Sequence, residues 1–209
     1  MNKKLPILLA LISAALFGSA TPASKVLLNS FAPIQLAGLL YLGAAIGVMP
    51  LMLKNKEIKL PTHLSNRNRF YLLGAIVCGG IIAPIFLLLG LQFASASSVS
   101  LWLNLELVAT AILGYCFFHD HLGRIGWIGV AGCIIAAILI SAGEGVAGIE
   151  AALLVTIACI AWGLDNHLTA LIDGISPAQS TFYKGIVAGS INLLLGILIQ
   201  PSTTSFQNI

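Results

Sequence analysis

Seven long apolar stretches, separated by short polar segments, constrain this sequence more than any other feature. Each is long enough to cross about 30 Å of hydrocarbon at roughly 1.5 Å of helical rise per residue. Several run through Gly and Ala without the alternation that a membrane β-strand requires, so they indicate helices. The approximate ranges are 5–24, 33–53, 70–93, 98–117, 124–142, 149–169 and 178–199. With 58% hydrophobic and 8% charged residues, the chain is outside the soluble range. We predict an all-α, polytopic transmembrane helical bundle.

The positions of Lys and Arg predict the orientation of this bundle. If the N-terminus is cytoplasmic, one basic residue, Lys25, lies at the outer surface. The basic residues of the inner segments are then Lys3, Lys4, Lys54, Lys56, Lys59, Arg67, Arg69 and Arg124. We therefore expect a plasma-membrane protein, of the bacterial inner-membrane kind, with a cytoplasmic N-terminus.

Two segments of the chain resemble each other, as in transporters built from repeated helical units. Residues 14–35 and 159–179 both place an aromatic-Gly pair late in one span and Pro-x-Gln at the start of the next. The first copy then holds five spans, and an odd number predicts that the second copy is inverted. We expect residues 1–142 to form a complete five-helix repeat. Residues 143–209 are expected to hold two helices of a second repeat, three helices short of completion.

The fourth and fifth spans, "LWLNLELVATAILGYCFFHDHLGRIGWIGVAGCIIAAILIS", resemble the end of an EamA domain, and Phe17-Gly18 and "ACIAWGLDNHLT" are similar to the same drug/metabolite transporter superfamily. A departure is Leu107, which stands where the family often has Pro. The resemblance implies ten helices in two inverted repeats and export of small metabolites. It leaves transport by a seven-span chain open.

Glu106 lies in the middle of the fourth span, where a charged group is costly unless protein or water surrounds it. Helical spacing places Trp102 and Thr110 on its face of the helix, with Asn104 on the other side together with Ser100. One interpretation is that Glu106 binds a substrate amine or a coupling proton. The alternative is a structural hydrogen bond to a neighbouring helix.

Lys184 is a second intramembrane charge, about two turns into the seventh span. It can extend back to the membrane interface, pair with Glu106 or bind an anion. Asp165 and Asn166 lie near the end of the sixth span, where we interpret them as gate residues of the pathway or as hydrated interface residues. Small residues at helical spacing in the sixth and seventh spans predict close helix contacts.

The leading hypothesis is a secondary transporter, an exporter of small metabolites or drug-like molecules, with proton coupling through Glu106 as the simplest energy source. The alternative is a truncated transporter remnant or membrane scaffold, inactive by itself or dependent on a partner. No nucleophile, base or metal-ligand spacing predicts an enzyme, and we expect no cofactor and no metal. The expected partners are a small-molecule substrate, the lipid bilayer, and either a second copy or the missing C-terminal helices; nucleic acid is not expected.

Overall fold

The computed structural model describes residues 4–57 and 64–199, apart from the side chain of Lys4. Within this part of the chain, seven helices are long and apolar enough to cross a membrane, which confirms the predicted spans. They are α1 (Lys4–Leu27), α2 (Pro33–Asn55), α3 (Asn66–Phe93), α4 (Ala96–Phe117), α5 (Arg124–Gly143), α6 (Gly145–Ala170) and α7 (Pro177–Ile199).

The turns between helices lie at two faces of the bundle. At the face where α1 begins, called here the N-terminal face, the Asn68 side chain donates to the Asp173 carbonyl at 2.7 Å, which ties α3 to the α6–α7 turn. At the opposite face the Lys25 ammonium donates to the carbonyls of Leu91 and Gln92, at 2.6 and 3.2 Å. These contacts fix both ends of the bundle.

Two close helix contacts hold the centre together. Helices α2 and α7 run antiparallel along a glycine seam: a Cβ added to Gly38 would lie 2.5 Å from the Leu193 nitrogen, and one on Gly185 would lie 2.7 Å from the Tyr41 carbonyl oxygen. Helix α6 also lies close to α4 at Gly163, where an added Cβ would lie 3.0 Å from the Thr110 nitrogen. The predicted contact stripes on α6 and α7 are therefore confirmed.

Helices α1 and α5 lie at the periphery. Phe17 is 70% and Ile125 is 85% exposed in the isolated chain. Such residues would be costly in water, but lipid covers them without penalty. The polar and tightly packed part of the bundle is consequently formed by α2, α3, α4, α6 and α7.

Two helices are irregular in mid-membrane. Helix α3 contains a π-helical segment at Ile76–Ile82, where the Gly79-Gly80 pair weakens the ordinary pattern. Helix α4 is interrupted between Trp102 and Leu105. At this point the backbone N–H and the side-chain amide of Asn104 both donate to the Leu101 carbonyl. The interruption of α4 departs from the continuous helix predicted over 98–117.

The start of α4 also differs from the prediction. The predicted span begins at residue 98, but the N-cap is Ser95, whose hydroxyl accepts from the Ser98 backbone N–H at 3.1 Å. The same hydroxyl donates to Glu144 of the α5–α6 turn at 2.9 Å. The helix starts earlier because Ser95 can bond in both directions.

Candidate functional site

Glu106 lines a cavity of about 450 Å³ between α1 and α4. The carboxylate lies halfway along the 22-residue α4, directly after the interruption of the helix. The other lining residues combine one aromatic ring, small groups and polar side chains: Phe17, Gly18, Thr21, Ser100, Leu103, Asn104 and Leu107. The cavity therefore offers a carboxylate, hydroxyls, an amide and an apolar wall to one small molecule.

Asn166 of α6 orients the Glu106 side chain by a hydrogen bond. Its amide nitrogen donates to Glu106 Oε1 at 3.0 Å and to the Thr110 hydroxyl at 3.2 Å. One amide thus joins three of the residues that the sequence analysis names as candidates. Because Asn166 is neutral, it orients the carboxylate without cancelling its charge.

Neither Lys184 nor Lys25 neutralises Glu106. Lys184 donates to both oxygens of Asp165, at 2.6 and 2.7 Å, instead of pairing with Glu106 or extending to the interface. Lys25 donates to backbone carbonyls at the opposite face. Among the described residues, no Lys or Arg forms an ion pair with Glu106. Its charge is therefore available to a ligand.

Asp165 belongs to a second polar cluster, which is closed. The residue is 6% exposed, and the Thr169 hydroxyl donates to its Oδ1 at 2.9 Å in addition to the Lys184 bonds. A Cβ on Gly79 would lie only 2.0 Å from Asp165 Oδ2, so the missing side chain makes room for this carboxylate. The pair joins α6 to α7 beside the π-helical segment of α3.

Carbonyls of the π-helical segment accept hydrogen bonds from three polar side chains that are not among the predicted site residues. The Gly79 carbonyl accepts from the Tyr41 hydroxyl and from Trp162 Nε1, the latter at 3.1 Å. The Gly80 carbonyl accepts from Asn192 Nδ2 at 2.9 Å. Backbone acceptors have no signature in a sequence. The donor Asn192 does have one, because it is a polar residue in the middle of an apolar helix.

Trp102 does not line the cavity. Because α4 is interrupted after this residue, the indole is fully buried in the core and its Nε1 donates to the Ala137 carbonyl at 3.3 Å. Asn104 does reach the cavity, although helical spacing places it on the side of α4 away from Glu106. Because of the interruption, Asn104 and not Trp102 lines the cavity together with Glu106.

A larger cavity, of about 650 Å³, lies between α4, α5 and α6 and is almost entirely apolar. Its two hydroxyls, on Ser141 and Thr156, donate to carbonyls of their own helices at 2.8 and 2.7 Å. The lining of this cavity holds no charged side chain, whereas the smaller cavity holds Glu106, so the smaller cavity is the better candidate. Within the described residues no cluster of three metal-ligating side chains occurs.

The start of α4, at the face opposite the N-terminal face, is fixed by a charged group outside the spans. Glu144 accepts hydrogen bonds from the hydroxyls of Ser98 and Ser95. These bonds, with that from Ser98 the strongest, hold the pKa of the Glu144 carboxyl below its usual range. The turn between α5 and α6 is thereby attached to the helix that carries Glu106.

Comparisons with known proteins identify relatives of the chain. Residues 4–142 match the EamA-like transporter family. The chain is also 28% identical, over 217 aligned positions, to an uncharacterized transporter of Methanothermobacter thermautotrophicus; the match covers 90% of the chain and 62% of that relative. The chain therefore spans less than two thirds of the relative's length. No solved structure matches it.

Proposed function

The chain belongs to the EamA-like transporter family, and from that premise we propose that it takes part in secondary transport of small molecules across the plasma membrane, with Glu106 as the binding group. The N-terminus is cytoplasmic in this proposal, as the distribution of Lys and Arg favours. The direction of transport is export.

The observation that carries the proposal is the uncompensated carboxylate in a small mid-membrane cavity. A carboxylate in this position binds a group of opposite charge or a proton, because either removes a costly charge from the membrane. The apolar wall and the Phe17 ring suit the hydrocarbon part of a cargo, and the ring face attracts a cation. We therefore favour cargo with an amine or another cationic group.

Coupling to a proton gradient follows from the use of one carboxylate by two ligands. If a proton and a cationic cargo both require Glu106, each excludes the other from the site. Binding of a proton from one side then promotes release of cargo to that side. Conversely, cargo binding displaces the proton, so the two movements are linked without a further energy source.

The test is transport by purified protein in sealed vesicles under an imposed proton gradient. Wild-type protein is compared with Glu106→Gln, using a panel of organic amines, amino acids and sugars as cargo. We expect gradient-dependent movement of amines by the wild type, and at least a tenfold loss in Glu106→Gln because the neutral amide cannot bind a cation or a proton at neutral pH.

Glu150→Gln is the matched control, since Glu150 is an exposed carboxylate on α6. The same substitution there is expected to leave transport unchanged. Equal transport by the wild type and Glu106→Gln would contradict the role of this carboxylate. Transport confined to sugars would contradict the proposed cargo class.

A further inference from the structure

His167 occupies a polar site on α6 and is not among the residues that line the Glu106 cavity. It follows Asn166 in the chain and lies nearer the N-terminal face, with its side chain 12% exposed. Three groups converge on the imidazole: the Thr110 carbonyl, the Asp120 carboxylate and the Phe118 ring. Each of these groups favours a particular hydrogen-bonding or charge state of the imidazole, and together they indicate which ligand the ring can bind.

The first contact fixes the tautomer of the ring. His167 Nε2 lies 2.9 Å from the Thr110 carbonyl oxygen, which can only accept a hydrogen bond. Nε2 must therefore carry a hydrogen. In the neutral ring, Nδ1 is then an unprotonated acceptor.

The second contact places a carboxylate in front of that nitrogen. Asp120 Oδ2 lies 3.9 Å from His167 Nδ1. Since an ionised carboxylate also only accepts, the two atoms have no hydrogen to share while His167 is neutral and Asp120 is ionised. A separation of 3.9 Å, too long for a hydrogen bond, agrees with that state.

The backbone is shaped to bring Asp120 there. After α4 ends, His119 adopts a positive φ of 59°, uncommon for a residue other than Gly, and the chain turns back on the helix. The Asp120 N–H then donates to the Gly114 carbonyl at 3.0 Å. A Cβ on Gly114 would lie 2.7 Å from Asp120 Oδ2 and 3.0 Å from His167 Cε1, so the glycine admits both side chains.

The third contact is a stacked ring. Phe118 lies parallel to the His167 imidazole, with centroids 4.3 Å apart and an interplanar angle of 9°. The face of a phenyl ring carries negative charge and attracts a cation. All three contacts are therefore strengthened when the imidazole becomes an imidazolium.

We propose that His167 and Asp120 form a proton-binding site at the N-terminal face, distinct from Glu106 and connected to it. The Nδ1 lone pair takes a proton from bulk water, and the new N–H donates to Asp120, closing the gap between them. Asp120 is 67% exposed on its side chain, which gives protons a route to the site.

The charged groups of the neighbouring elements do not replace Asp120. Helix α4 contributes Glu106, which is held by Asn166, and α6 contributes Asp165, which is paired with Lys184 of α7. Helix α3 carries Arg67 and Arg69 in its first turn. Among the described residues, the only ion-pair partner of His167 is Asp120.

Thr110 connects the proton site to the cavity. Its carbonyl accepts from His167, while its hydroxyl accepts from the same Asn166 amide that orients Glu106. Protonation of His167 draws α6 and the α4–α5 turn together through the contact with Asp120. The proton site therefore acts on the position of Glu106 without contacting the cargo.

The first test observes the imidazole directly, by NMR of ¹⁵N-histidine-labelled full-length protein in lipid nanodiscs between pH 8 and pH 5, without cargo. We expect His167 to carry hydrogen on Nε2 alone at pH 8, and at pH 5 a second, hydrogen-bonded one on Nδ1. In Asp120→Asn the strongly hydrogen-bonded Nδ1 signal is expected to disappear. A ring that stays neutral down to pH 5, or an Nδ1 signal unchanged in Asp120→Asn, would overturn the proposal.

The second test measures thermal unfolding at pH 8 and pH 5.5. Wild-type protein is expected to have a higher unfolding midpoint at pH 5.5 than at pH 8, because the contacts of the ring with Asp120 and Phe118 are stronger for an imidazolium. The His167→Gln and Asp120→Asn variants should each lose the gain. His121→Gln, an exposed histidine of the same turn, should retain it; loss of the gain in this control, or its persistence in both other variants, would count against the site.

Because neither readout involves cargo, this proposal and the proposed function fail separately. Loss of the Nδ1 signal in Asp120→Asn supports the proton site even if Glu106→Gln transports normally.

Discussion

Asp165 and Glu106 are both carboxylates in the membrane-spanning part of the chain, but their surroundings are opposite. Asp165 is 6% exposed and lies against Gly79, and both of its oxygens accept hydrogen bonds from Lys184. Glu106 lines an open cavity and receives one neutral amide. The difference teaches that charge in a membrane is not by itself a sign of a ligand site; what matters is whether the protein already neutralises it.

Asp165 therefore has a structural role and Glu106 a binding role. An ion pair buried between helices is costly to break, because the remaining partner is left as an uncompensated charge. A carboxylate in a cavity retains its capacity to bind, at some expense in stability. Removing charge should therefore damage the fold at Asp165 and the activity at Glu106.

The largest effect is expected for Lys184→Met, which leaves the Asp165 carboxylate buried without its cation. We expect a loss of about 3–5 kcal/mol in the free energy of unfolding, measured in lipid or mild detergent. Asp165→Asn combined with Lys184→Met should recover more than half of the loss, because no charge is then buried. A double variant no more stable than Lys184→Met would show that the pair is not the cause.

Gly79→Ala should have the next largest effect. The added methyl group would overlap the Asp165 carboxylate, so we expect a loss of about 1–3 kcal/mol in the free energy of unfolding. Gly43→Ala is the matched control, since a Cβ there meets nothing within 4 Å. Equal losses in the two variants would mean that helix flexibility, and not contact with Asp165, explains the glycine.

Asn166→Ala removes the one amide that orients Glu106. We expect a modest loss of about 0.5–1.5 kcal/mol in stability, typical of a single hydrogen bond, together with weaker cargo binding. Measured cargo affinity in vesicles separates the two effects. Unchanged affinity would remove Asn166 from the site.

The smallest effect concerns Glu144, whose pKa is held low by Ser98 and Ser95. Because the folded pKa lies below the unfolded value of about 4.3, the stabilisation is complete above that value and is lost as the pH falls through the folded pKa. In Ser98→Ala, the pKa of Glu144 should rise towards its usual range and the acid-side loss of stability should shrink. Carboxyl NMR and thermal unfolding between pH 6 and pH 3 provide the check, with Glu150→Gln as control.

Much of the fold could be predicted from the sequence, because lipid demands long apolar helices and the spans carry that requirement in every residue. The conspicuous charge of Glu106 and the small-residue stripes on α6 and α7 could be predicted for the same reason: they depart from an apolar background.

The partners of these residues could not be predicted. Lys184 meets Asp165 only because α6 and α7 pack beside the π-helical segment of α3, and that register depends on the whole bundle. Trp102 and Asn104 exchange their expected surroundings because Asn104 interrupts α4, which ideal helical spacing does not anticipate. The convergence of His167 and Asp120 similarly requires the turn at His119.

The most direct test compares the free energies of unfolding of Glu106→Gln and Asp165→Asn, with cargo binding measured on the same samples. Our account predicts that Glu106→Gln stays within about 1 kcal/mol of the wild type and loses binding, whereas Asp165→Asn loses about 3 kcal/mol or more by leaving Lys184 unpaired. If Glu106→Gln proves as destabilised as Asp165→Asn, Glu106 is a structural residue and the central claim is wrong.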